Sequence, residues 1–157
     1  MRFISQKMRA NIFVKILAFT KIPLMFFCRP KIIKINDEQV IVKIPFKRRV
    51  KNHVNSMYFG ALAVGADLSG AYLAFHHINK TDKKIKLIFK DFHADFLKRA
   101  EGDVHFICND GNKIESLIKE VLSKGERCST TVNVDAFVPS KFKDDPVAKF
   151  MLTLSLK

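Results

Sequence analysis

Residues 52–79 read NHVNSMYFGALAVGADLSGAYLAFHHIN, and between Lys51 and Lys80 the only formally charged side chain is Asp67. From about Ser56 onward the residues are compatible with a helix. Gly60, Gly65 and Gly70 each stand beside an alanine, Ala61, Ala66 and Ala71, which gives the helix little bulk on its flanks. Glycine inside a helix costs about 1 kcal/mol against alanine, so three of them imply that another part of the chain must approach this backbone closely. A sheet curled around the helix meets that requirement.

The flanking segments supply the sheet. Upstream, residues 31–36 and 39–46 are β-branched runs on either side of Asp37-Glu38, with Val40, Val42, Ile44 and Phe46 on one face, and they predict a hairpin. Pro45 cannot donate to a ladder, which places it near a strand end or an edge. Downstream, residues 85–98 and 103–109 read as a second strand pair joined through Ala100-Glu101-Gly102. Ile114, Leu117, Ile118, Val121 and Leu122 then follow helical spacing, and Gly125 is placed to end that helix. Residues 128–138 and 147–156 alternate apolar and polar positions and predict two final strands. Strand pairs joined by short turns favour an antiparallel sheet, so the class is α+β. Residues 7–28 carry Met8, Ile12, Ile16, Leu17 and Phe19 near helical spacing, interleaved with Lys7, Arg9, Lys15 and Lys21. They predict a basic amphipathic helix broken before Pro23. Such a helix covers part of a core, guards a pocket mouth or lies on a membrane surface. The expected organisation is this N-terminal helix over residues 1–30 and a single domain over 31–157.

Composition narrows the function. A chain of 157 residues with 48% hydrophobic and 27% charged residues is one globular domain, neither disordered nor low in complexity. Lys15, Lys21 and Arg29 cut the apolar N-terminal region into pieces too short to span a bilayer and spoil a signal-peptide core. Cys28, Cys108 and Cys128 have no metal or disulfide spacing, and they read as reduced thiols of a cytoplasmic protein. The net charge of +13 is uneven: residues 1–51 hold thirteen Lys/Arg against Asp37 and Glu38 alone. A localised positive field attracts phosphates, acidic proteins or anionic membranes, or serves only as a solvated basic face.

Asp67 is the candidate for chemistry. A carboxylate on a helix that a sheet must cover is costly unless it is bonded, paired or left in reach of a cleft, and desolvation raises its pKa. Gly60, seven residues earlier, shares its face and lies near the helix start, where backbone N–H groups lack internal partners. An anion-binding amide and a carboxylate on one face suit attack on a carbonyl or thioester, the amide holding the oxyanion and the carboxylate acting as base or nucleophile. The plainer alternative is that Asp67 caps a loop or pairs with a lysine of the hairpin.

The segment from Asn52 to Asp67 resembles the active-site segment of the PaaI-type hot-dog thioesterases, in which an Asn, a His-Gly-Gly and an Asp or Glu occur at these spacings. It is more similar still to the hot-dog family known as domain of unknown function 4442. The hairpin ending in FKRRVKNH, the DFLKRAEG turn, the IESLIKEVLSKG helix and the last two strands follow that family's order over nearly the whole chain. The resemblance implies a hot-dog fold, an antiparallel sheet wrapped round a long central helix with an extra N-terminal helix. It implies an acyl-CoA or acyl-carrier-protein thioesterase with Asp67 as the catalytic carboxylate, Gly60 as the oxyanion-hole glycine and Asn52 at the family's Asn. Tyr58 stands where the thioesterases carry His, and Phe59 where they carry the first Gly. These two, with His53, are expected to line the substrate site. Sites of this kind lie at a dimer seam, so a homodimer or homotetramer is expected. The run Lys47-Arg48-Arg49-Lys51 could hold CoA phosphates or an acidic carrier, with Arg48 and Arg49 as the leading contacts. A non-catalytic acyl-ligand binder on the same fold is the alternative.

His76 and His77 read as pointing to different helix faces, and none of the histidines has metal-ligand spacing with a cysteine or carboxylate, so neither metal nor cofactor is expected. Neither a phosphate-binding glycine loop nor a nucleic-acid motif is present.

Overall fold

The computed structural model describes residues 5–157; the first four residues of the expected N-terminal segment lie outside the described residues. The chain runs α1 (Gln6–Thr20), α2 (Pro23–Cys28), β1 (Lys31–Ile35), β2 (Val40–Ile44), a 3-10 turn (Arg48–Val50), α3 (Phe59–Ile78), β3 (Leu87–Phe96), β4 (Val104–Cys108), α4 (Gly111–Lys124), β5 (Cys128–Phe137), the short α5 (Pro139–Phe142) and β6 (Pro146–Leu156). Six strands form one sheet in the order β1-β2-β4-β5-β6-β3, every pair antiparallel. α3 lies across β2, β4, β5 and β6. This is the hot-dog arrangement that the family resemblance implies, and the sheet covers the slender helix as residues 52–79 require.

The helix sits low on the sheet because its glycines allow it. At Gly65 a Cβ would stand 2.2 Å from the ring of Phe106 on β4, which is fully buried. Around that contact Val42, Phe106, Val132, Val134, Phe150, Leu152 and Leu154 from four adjacent strands close a continuous core with Leu73 and Ala74 of the helix. α4 packs against α3 and β5 and ends where Gly125 takes a left-handed φ of 69°, as its spacing predicts.

The strand pairing differs from expectation at one place. Residues 85–98 and 103–109 do not form a hairpin: β3 pairs with β6 at the sheet edge, while β4 lies between β2 and β5. The connection between them does not turn back. Leu97 and Lys98 both donate their N–H to Val147 O at 2.9 and 3.0 Å, and Ala100 O accepts from Met57 N at 2.7 Å. These bonds carry the chain past the start of α3 to the other side of the sheet. Pro45 falls one residue beyond β2, where the missing N–H disturbs no ladder.

The N-terminal helix breaks at Pro23, which opens α2. The faces of α1 are not those the spacing suggests. The small residues Ala10, Val14 and Ala18 are buried, and Met8, Ile12, Ile16 and Phe19 are exposed. Asn11 decides the rotation: its side chain donates to Ile32 O and accepts from Ile32 N, both at 2.9 Å, which ties α1 to β1. Phe13 stacks on Phe75 of α3 with ring centroids 4.4 Å apart. Among the described residues no helix is long and apolar enough to cross a membrane. Cys28, Cys108 and Cys128 are buried free thiols.

The far end of α3 is locked by Asp37 in the β1–β2 turn. His76 Nε2 lies 2.9 Å from an Asp37 carboxylate oxygen, Lys80 donates to the same oxygen, and His77 Nε2 lies 2.8 Å from Asp37 O. The two histidines therefore converge on one residue instead of diverging. His76 meets the Asp37 side chain and His77 its main-chain carbonyl, so two rings on different sides of the helix reach one residue. The bonds from Lys80 and His76 hold the Asp37 carboxyl down at about 2.

Two stability outcomes follow. Gly65→Ala forces a methyl group into the Phe106 ring and lowers unfolding stability by about 1–3 kcal/mol in urea titration. Asp37→Asn lowers the Tm at neutral pH. Because the folded-state pKa is depressed, that gap with wild type closes as pH falls from the ordinary carboxyl range toward about 2, as thermal melts across that range would show.

Candidate active site

The approach to α3 is a loop that organises itself around Asn52. The Asn52 side-chain oxygen accepts from Val54 N and Ser56 N at 3.0 Å each, and its Nδ2 donates to Ser56 Oγ at 3.1 Å. Asn55 takes a left-handed φ of 57° to close the turn. Asn52 thus holds the loop's shape with most of its hydrogen-bonding capacity. Tyr58 N then donates to Val50 O at 2.8 Å, and the helix begins.

Tyr58 is the N-cap residue and provides no side-chain cap. Its carbonyl takes the N–H groups of Ala61 and Leu62 at 2.9 and 3.2 Å. The N–H groups of Phe59 and Gly60 have no acceptor among the described residues. They are the orphan donors of a helix start, pointing out of the positive end of its dipole. A cleft of about 530 Å³ opens beside them, lined by Asn52, His53, Tyr58, Phe59, Leu62 and, from the end of β3, Phe96, Leu97 and Arg99. The Tyr58 ring lies over Gly60, where a Cβ would come within 2.6 Å of it. Tyr58 and Phe59 are both exposed, with ring centroids 4.7 Å apart.

Asp67 lies in the middle of α3, so it caps no loop. It is half-buried on the face turned away from the sheet, where Gly60, Ala63, Val64 and Ala71 are also only partly covered. Among the described residues its side chain makes neither an ion pair nor a hydrogen bond, with a lysine of the β1–β2 hairpin or any other group; the hairpin's Lys43 pairs with Asp103 instead. Burial alone pushes its carboxyl pKa upward. Seven residues of helix rise put it about 10 Å along the axis from Gly60, beyond the reach of one carbonyl group.

A single chain therefore places the expected site residues in three locations. Asn52, His53, Tyr58, Phe59 and Gly60 gather at the helix start. Asp67 stands two turns along the open face. Arg48 and Arg49 lie apart from both, around a hollow shared with α1 and α2. The contribution of Phe96, Leu97 and Arg99 was not foreseen from the residues. Its signal is the edge strand itself, which leaves Ile88, Phe92, Phe96 and Leu97 exposed. Arg99 donates to Val54 O and ion-pairs with Glu101 at 3.1 Å, joining the β3–β4 connection to the loop of Asn52.

A six-stranded antiparallel sheet wrapped on one slender helix, which carries an unpaired carboxylate on its open face, defines a protein of the hot-dog class. More narrowly, the chain belongs to the family described as domain of unknown function (DUF4442), which matches residues 10–148. Its fold is shared with solved structures at low identity. A proposed thioesterase from Shewanella oneidensis is 15% identical with a TM-score of 0.78, covering 94% of this chain and 96% of that one. A protein of unknown function from Pseudomonas aeruginosa, described as a probable thioesterase, is 21% identical with a TM-score of 0.75, covering 94% and 95%. A thioesterase from Haemophilus influenzae is 10% identical with a TM-score of 0.66, covering 92% and 87%. No curated protein matches the sequence.

The raised pKa of Asp67 has a sign that can be measured. Folding favours the neutral acid, so this group's contribution to stability is present below its unfolded pKa and is lost as pH rises through the folded one. Asp67→Asn accordingly raises the Tm at neutral pH, and the gain disappears in melts below the ordinary carboxyl range near 3.8.

Proposed function

We propose that the protein hydrolyses an acyl thioester at the seam of a homodimer, with Asp67 of one subunit working opposite the Gly60 N–H of the other. The observation that carries this reading is the state of Asp67: desolvated, without a partner among the described residues, still accessible, and on the same helix face as Gly60, whose N–H has no acceptor there. Because about 10 Å of helix separates the two halves in one chain, a second copy running the opposite way along this face supplies the missing proximity. The exposed apolar side chains of β3 and its unpaired edge give that copy a surface to add to. A dimer of such dimers is compatible with the same seam.

In the proposed reaction Asp67 takes a proton from water as the water oxygen bonds to the thioester carbonyl carbon. The carbonyl oxygen becomes an oxyanion that the N–H groups of Gly60 and Phe59 hold. The C–S bond then breaks, and the thiolate leaves with the proton returned by Asp67, yielding a carboxylic acid and a thiol. In the nucleophilic variant Asp67 attacks directly, and water hydrolyses the resulting anhydride. Neither variant needs a cofactor. Asn52 is a positioning residue that shapes the loop under the donors, and Tyr58, Phe59 and His53 frame the cleft that takes the acyl group. The acyl carrier is CoA or an acyl-carrier protein in the cytoplasm, whose phosphates or acidic side chains meet exposed Arg48.

One observation favours a second reading, a non-catalytic acyl-ligand binder. The Tyr58 ring rests on Gly60 and Phe59 projects beside it, where the thioesterases that the motif resembles carry smaller groups. Hydrolysis of a chain-length panel of acyl-CoAs, with calorimetric binding of the same compounds, decides between them. Asp67→Asn is expected to lower kcat by about a hundredfold or more while leaving binding within a few-fold. Binding without turnover in the wild type establishes the second reading instead, and equal residual rates in wild type and variant rule out Asp67 as the working group.

A further inference from the structure

The first 36 residues contain no Asp or Glu, and three of their cations, Lys15, Arg29 and Lys31, meet Lys47 and Arg49 around a hollow that lies apart from Asp67 and the cleft at the start of α3. A cavity of about 490 Å³ lies between α1, α2 and the segment after β2. Lys15, Arg29, Lys31, Lys47 and Arg49 line it, and none of the five has a carboxylate partner within ion-pair distance among the described residues. Asp103, which feels the charge of Lys47, is itself ion-paired with Lys43 at 2.6 Å. Arg49 Nε is buried and has no acceptor, a donor left waiting for an anion. The floor of the cavity is apolar, formed by Val14, Ala18 and Phe26.

The cavity opens beside the outward face of the two helices. Phe19, 70% exposed, packs edge-on against Phe26 with ring centroids 5.4 Å apart. Ile12 and Ile16 continue that face along α1, and Leu24 and Phe27 continue it on α2, all of them exposed. Lys15 stands between the apolar row and the cavity mouth. Large side chains turned to water, flanked only by positive charge and adjoining a cation-lined hollow, match the two layers of an anionic bilayer: acyl chains for the apolar row, phosphates for the cations.

We propose that α1 and α2 dock the protein on anionic phospholipid membranes, with one lipid phosphate seated among Arg29, Lys47 and Arg49 and the row from Ile12 to Phe27 resting at the headgroup boundary. Asp67 and the cleft at the start of α3 take no part in this binding, although its cations adjoin Arg48, the contact proposed above for the acyl carrier. Free phosphorylated ligands share the headgroup's chemistry, and the experiment separates the two sources.

The test is co-sedimentation of the full chain with vesicles of phosphatidylcholine alone and of phosphatidylcholine mixed with phosphatidylglycerol. The wild type is expected to pellet with the mixed vesicles only, and to be released as salt rises. Phe19→Ser, at an exposed position, is expected to weaken that partition about tenfold. Lys15→Gln combined with Lys47→Gln is expected to weaken it about twenty-five-fold, near fivefold for each cation. Melting curves confirm that both variants stay folded, and Phe19→Ser leaves any acyl-CoA hydrolysis unchanged. Three results overturn the proposal: no wild-type pelleting, equal pelleting with neutral vesicles, or variants that pellet like wild type. Displacement from mixed vesicles by free CoA at micromolar concentration, with inorganic phosphate ineffective, assigns the cavity to a soluble ligand and likewise overturns it.

Discussion

The close approach of α3 to the sheet at Gly65 is the constraint on which the rest of the molecule depends. With the Phe106 ring filling the space a side chain would occupy, the helix backbone sinks between the strands, and Leu62, Ala66, Leu73 and Ala74 are drawn into a dry core with Val42, Val132 and Leu152. A helix so deeply seated can offer solvent only a narrow strip. That strip carries small residues, Ala63 and Ala71, one turn to either side of Asp67, and the carboxylate there is partly desolvated without being sealed off. The packing that makes the fold therefore also sets the electrostatic condition of its one candidate catalytic acid.

Two aspartates show how differently the same group is treated. Asp37 sits in a turn, surrounded by Lys80 and His76, and its charge is stabilised by two hydrogen bonds that tie the hairpin to the end of α3. Asp67 has no such company, and burial works against its charge. A purely structural account would pair Asp67 with a lysine of the hairpin, and none of them does so: Lys43 is engaged by Asp103 at 2.6 Å. Charge pairing at one end of the helix and its absence in the middle divide the two acids: Asp37 ties the hairpin to α3, and Asp67 stands half-buried without a partner among the described residues.

Much of this was legible in the residues. The glycine spacing announced a slender helix under a sheet, and Pro23 and Gly125 marked a helix break and a helix end. What local pattern could not supply was partner choice. The alternation in residues 85–98 and 103–109 identifies strands, yet it says nothing of which edge each joins, and hydrogen bonds from Leu97, Lys98 and Met57 made that decision at long range. The rotation of α1 was likewise settled by a single side chain, Asn11, gripping both polar groups of Ile32. Spacing alone groups Met8, Ile12 and Ile16 as an inward stripe, because hydrophobicity ranks them above Ala10, Val14 and Ala18. Close packing of helix on strand ranks them the other way, since small residues let the backbones approach. The site shows the same limit: Gly60 and Asp67 share a face, but their separation along the axis emerges only from counting helical rise.

The reversal of α1 has a consequence for the whole N-terminal third. The side chains that α1 turns toward the hollow between α1, α2 and the 3-10 turn are small, Val14 and Ala18, while Ile16 and Phe19 face out. Because alanine and valine face inward instead, the hollow stays open, Arg49 Nε stays unpartnered, and the aromatic and aliphatic bulk is carried to the outside next to unpaired lysines. Exposed apolar groups on a cationic element are unfavourable in water and favourable at an anionic lipid boundary.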